Sequence, residues 1–160
     1  MDLQALDPTT ITLPSPLPNV SDKQWTAFAR VMMTARSSAV SQSNALGAFE
    51  FTAKRLADFG LVEKLKHTKS KKSGRTIWKA VFIAPLTTDA FLKNLSLQYR
   101  VFMTSMLDYN SKIYSNTVKI PEGATLSGTL AVLQRVGPNG LRGEMFPATK
   151  ELFTRANGIF

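Results

Sequence analysis

The stretch LGAFEFTAKRLADFG, residues 46–60, sets a carboxylate, Glu50, between Phe49 and Phe51 directly after Gly47 and Ala48. A glutamate among phenylalanines could perform glycoside chemistry, in which a carboxyl kept protonated by an apolar pocket delivers a proton to a leaving oxygen. The local pattern points instead to an ordinary helix residue. Phe49, Ala53, Leu56 and Ala57 recur at helical spacing, which puts Glu50 in a first turn. There the helix dipole favours the ionised form, Lys54 lies four residues on, and the flanking rings point to other sides of the helix.

The remaining chemistry-bearing residues fall into weaker patterns. Asp58, Asp108 and Glu144 are carboxylates that no spacing singles out. His67, Ser70 and Asp58 could be written as base, nucleophile and orienter, but the lysines around His67 disfavour its imidazole as a base, and it reads as a loop residue. The GPNG run at 137–140 has the glycines of a phosphate-cradling loop without the following Lys-Ser/Thr, so it reads as a turn. The chain has no cysteine and one histidine. Disulfides, thiolate zinc sites and cysteine nucleophiles are therefore excluded, and no metal or cofactor is expected.

A formal net charge of +9 favours acidic partners: nucleic acid, anionic cell-wall polymers or an acidic neighbouring subunit. The bases concentrate in KLKHTKSKKSGR, which holds Lys64, Lys66, Lys69, Lys71, Lys72 and Arg75 without an intervening acid. Ser, Thr and Gly interrupt the run and no apolar period passes through it, so residues 64–75 read as a solvated basic loop. A nucleic-acid surface would interleave aromatic or amide side chains, and none precedes Trp78.

These residues must be positioned by a scaffold that 160 residues can supply as one domain with one core. Residues 1–20 carry Pro8, Pro14, Pro16 and Pro18 and read as an extended arm whose leucines suit docking on a neighbouring subunit or folding back. Ser21 and Gln24 form a capping-box pattern before Trp25, Phe28, Ala29 and Met32, the first helix. A second, short helix covers Phe49 to Ala57, with Gly60 as its stop. TIWKAVFIA is rich in β-formers and suggests a small ribbon with a neighbouring segment. Thr88-Asp89 opens a long helix whose stripe is Phe91, Leu95, Tyr99, Phe102, Met106 and Ile113, widened by Leu92, Met103 and Leu107. Leu126, Leu130, Leu133 and Val136 mark the next helix, and Pro147 opens the last, which ends near Asn157-Gly158. The expected fold is mainly α with one small β-ribbon. The N-terminal stretch lacks the basic start and apolar run of a signal peptide, and no stretch approaches a membrane span, so synthesis in the cytoplasm is expected.

AVSQSNALGAFEFTAKRLADFGLV, followed much later by ATLSGTLAVLQRVGPNGLRG, resembles the lysozyme-fold peptidoglycan hydrolases of bacteriophage tails, relatives of lytic transglycosylases. Ala39-Val40 match a pair that follows the catalytic helix in that family. Gly47, Phe49 and Phe51 match the block that opens its next helix, and Ser127-Gly128 with Gly137 to Gly140 match its late helix and glycine-rich turn. The resemblance covers about residues 22–62 and 89–143 and implies a lysozyme-like domain over 21–160. Its glycan cleft would be lined by Gly47, Phe49, Glu50, Phe51, Ser127 and Gly128. It also implies a catalytic Glu-Ser pair, which by the family's spacing falls on Met32-Met33. Methionine cannot donate a proton. The resemblance therefore implies a virion tail or baseplate component on a degenerate hydrolase fold, with neighbouring virion proteins as partners. Two other readings are an active hydrolase with Glu50 as a displaced acid and a small basic adaptor for nucleic acid.

Overall fold

The computed structural model describes residues 11–33, 45–69, 74 and 76–160. Ala39-Val40, Ser70, Lys71, Lys72, Arg75 and the first half of the arm lie outside these residues.

Helix α1 (Asp22–Met32) is started by the capping box: the Ser21 side chain accepts from the Gln24 amide, and the Gln24 side chain accepts from the Ser21 amide. Its inner face carries Trp25, Phe28, Ala29 and Met32, all buried. Helix α2 (Ala53–Asp58) is capped by Thr52, which leaves residues 46–51 outside it. The expected helix from Phe49 is therefore shorter than its apolar period. Leu46 and Phe51 exchange both backbone hydrogen bonds at 2.9 Å, and the Glu50 amide donates to the Gly47 carbonyl at 3.0 Å, closing a tight turn. A hydroxyl at position 52 accepting from the Arg55 amide then starts the helix four residues later than the pattern suggested.

Strand β1 (Val62–Lys69) pairs antiparallel with β2 (Thr76–Phe82), aligning Val62 with Phe82 and Lys66 with Trp78. Lys64, Lys66, His67 and Lys69 thus belong to a strand rather than a loop. A β-rich partner supplies the pairing that this polar run could not specify alone.

The expected long helix is two. α3 (Thr88–Lys93) and α4 (Leu95–Tyr114) meet at Asn94, which ends the first and caps the second by accepting from the Leu97 amide at 2.9 Å. An Asn side chain competes with the backbone ladder in this way, and the apolar stripe passes through unbroken. Phe91, Tyr99, Phe102 and Met106 are buried as expected, whereas Leu107 is 44% exposed and does not belong to the stripe. Helix α5 (Leu126–Val136) is wholly buried from Ser127 to Gln134 and packs on α6 (Pro147–Ala156), with a 3-10 turn at Pro138–Leu141 between them.

The core is aromatic. Phe49 stacks on Phe102 with centroids 4.3 Å apart, Trp25 stacks on Phe102 at 5.6 Å, and Phe28 and Phe160 meet in a T-shaped pair at 5.2 Å. Leu13 and Leu17 complete it from the arm. The Leu13 amide donates to the Thr26 hydroxyl at 2.7 Å, so residues 11–18 form a strap over the chain's own α1. This half of the arm folds back over its own domain. Among the described residues no helix is long and apolar enough to cross a membrane.

Candidate functional site

The turn at 47–50 delivers Glu50 to the floor of a cleft of about 340 Å³. Met32 and Met33 at the end of α1 form one wall with Phe49, Gln134 and Arg135 of α5 form the second, and Ala148, Glu151, Leu152 and Arg155 of α6 form the third. Met32, the position where the resemblance expects the acid, thus shares this cleft with Glu50.

Glu50 is not a helix residue. Its φ is +48°, in the left-handed region that side chains with a Cβ occupy at a cost of about 1–2 kcal/mol. Its carboxylate pairs with Arg135 rather than with Lys54, and its side chain is only 17% exposed. Both features correct the sequence reading: the residue lies before the helix, so neither the first-turn dipole nor the i+4 partner applies. The carboxylate is thus engaged by a guanidinium rather than left free in the cleft. Burial lowers the pKa of Arg135 from its ordinary value. The group remains a cation at working pH because guanidinium is so strong a base.

Two buried amides grip the turn. Gln98 of α4 accepts from the Ala48 amide at 2.8 Å and donates to the carbonyls of Phe91 and Leu92 at 2.9 and 3.1 Å. Gln134 of α5 donates to the Phe49 carbonyl at 3.2 Å and accepts from the Ser105 hydroxyl at 2.8 Å. Ser105 in turn accepts from Arg55 Nε at 2.9 Å, and Arg55 pairs with Asp108 at 2.9 Å. The Arg55 guanidinium also lies 3.8 Å over the Tyr109 ring.

Arg55, Asp58, Tyr109 and Lys112 line a second cleft, of about 380 Å³, that Gln134 also lines. Burial alone would raise the pKa of Asp108, but hydrogen bonds from Lys112 and Arg55, together with their charges, outweigh it and hold the carboxyl below its usual value. Asp58 lies 3.8 Å from Arg55, so both of these carboxylates serve the arginine.

Of the residues that the resemblance assigned to a cleft, Phe49 and Glu50 meet there. Phe51 is fully buried behind the turn, and Gly47 sits against Gln98, where an added Cβ would lie 2.4 Å from the amide oxygen. Ser127 and Gly128 are elsewhere, holding the C-terminal residues. The Ser127 hydroxyl lies 2.7 Å from the Ala156 carbonyl, its amide donates to the Phe160 carbonyl at 3.1 Å, and a Cβ on Gly128 would strike Asn157. Glu144 is exposed on the loop before α6, and the GPNG run forms a turn with Gly137 at φ +74°. His67 and Asp58 belong to different elements, and Asp58 is committed to Arg55. Among the described residues no cluster of His, Asp and Glu could hold a metal ion.

Sequence reasoning missed Arg135, Gln98, Gln134, Ser105 and Arg55. A usable signal existed: Gln98 and Ser105 fall on the helical stripe of Phe91 and Phe102, and Gln134 lies one turn beyond Leu130. A polar residue on a core face must find a partner, and here the partners include the backbone of the 47–50 turn. No family model, curated protein or solved structure matches the chain.

Proposed function

We propose that this chain is a lysozyme-like module that no longer cleaves glycan and serves as a structural component of a bacteriophage tail or baseplate. The observation that carries the loss of activity is the pairing of Glu50 with Arg135 in the cleft that Met32 also lines. The cleft's enclosed carboxylate is thereby engaged by a cation, and the position where the resemblance expects an acid holds a thioether. Glu151, the other cleft carboxylate, is exposed on α6. The tail or baseplate setting rests on the resemblance of residues 22–62 and 89–143, with which a helical fold carrying one small ribbon is consistent. Its partners would be other virion proteins, reached through the arm before residue 11 and through the basic surface, with peptidoglycan as a further ligand.

One observation favours an active hydrolase as the second reading: Glu50 is mostly buried, beside Phe49 and in the same cleft as Met32. Incubation of the purified chain with peptidoglycan decides between them. No loss of turbidity and no cleared zone in a gel are expected; clearing that disappears in Glu50→Gln would overturn the proposal.

A further inference from the structure

The residue that faces the cleft is held in a backbone conformation that its own side chain disfavours, and the holding groups come from two helices, of which α5 lines the cleft and α4 does not. Glu50 at φ +48° follows two peptide groups that are each bonded to a buried glutamine: the Ala48 amide to Gln98, and the Phe49 carbonyl to Gln134. Both glutamines are almost inaccessible, at 0% and 3% exposure. Each is anchored at its far end, Gln98 on the last carbonyls of α3 and Gln134 on Ser105, whose hydroxyl is fixed by Arg55. Rotation of either amide would break bonds at both ends.

We infer that Gln98 and Gln134 are positioning residues that clamp the 47–50 turn so that the Glu50 carboxylate meets Arg135 at the cleft floor. A turn needed only to connect α1 to α2 would carry glycine or asparagine at the left-handed position and avoid the cost. Here the cost is sustained by bonds to a buried network, an arrangement found where geometry serves a site. The inference concerns the placement of the carboxylate and holds whether the cleft cleaves or only binds, so peptidoglycan clearing does not bear on it.

The test is the coupling between Glu50 and Arg135, measured by denaturant unfolding of the full chain, Glu50→Gln, Arg135→Met and the double variant. The same cycle is repeated in a Gln134→Met background and in a Leu17→Ala background, the latter destabilised at the strap. A glutamine that merely filled the core would lower stability and leave the coupling alone. The coupling is expected to be about threefold or more in the unfolding constant of the otherwise native chain, to persist with Leu17→Ala, and to vanish with Gln134→Met. Undiminished coupling with Gln134→Met, loss of coupling in both backgrounds, or no coupling at the outset would each overturn the inference. If Gln134→Met does not fold, Ser105→Ala, which removes only the hydroxyl that orients Gln134, replaces it under the same criteria.

Discussion

The indole Nε1 of Trp25 donates to the Tyr99 hydroxyl at 2.7 Å, joining α1 to α4 inside the aromatic core. Tyr99→Phe leaves a buried N–H without a partner and is expected to cost about 1–3 kcal/mol in denaturant unfolding. Burial raises the pKa of both Tyr99 and Tyr109. A raised folded-state pKa contributes stability that is present below the unfolded value of about 10 and is lost as pH rises through the folded one. The alkaline limb of stability against pH should therefore be shallower in Tyr99→Phe.

Asp108 gives the opposite sign. Its depressed pKa contributes stability that is present above the unfolded value of about 3.9 and is lost as pH falls through the folded one. Asp108→Asn should flatten the acid limb below about pH 4. At neutral pH it should cost about 1–3 kcal/mol, less than a fully buried pair because the carboxylate is 35% exposed. A Tm series across pH checks both.

Position 50 separates backbone strain from side-chain pairing. Glu50→Ala and Glu50→Gly both lose the bond to Arg135, but only glycine relieves the positive φ. The glycine variant should be the more stable by about 1 kcal/mol. Equal stabilities would show that the turn relaxes when the carboxylate is gone.

Leu17 is 4% exposed and Leu13 is 5% exposed, both in the strap. Leu17→Ala is expected to cost about 2–3 kcal/mol, toward the lower end for a buried leucine because a strap can collapse inward. Deleting residues 2–18 should lower the melting temperature of the monomer. An unchanged melting temperature would mean that the strap only rests on α1.

Much of this fold was legible because local chemistry and tertiary need agree. Ser21 with Gln24 announced α1, Pro147 announced α6, and Gly137 stopped α5. The disagreements arise where a partner distant in sequence decides. Lys64 to Lys69 look like a loop until β2 pairs with them, and Asn94 divides a continuous apolar stripe by capping its own successor. The site was half legible. Met32 and Glu50 were singled out and do line one cleft, yet Arg135 is far from Glu50 in sequence and nothing local announces their pairing. Ser127 and Gly128 carried a pattern whose physical role is to seat the C-terminal residues.

Gln134 contributes to the walls of both clefts. The two hollows thus share one lining side chain. A small residue there would remove that side chain from both hollows at once, so neither can be reshaped at this position without altering the other. A library aimed at a new ligand for either cleft should keep residue 134 fixed and vary the outer walls, Ala148 and Leu152 on one side and Pro138 and Asn139 on the other.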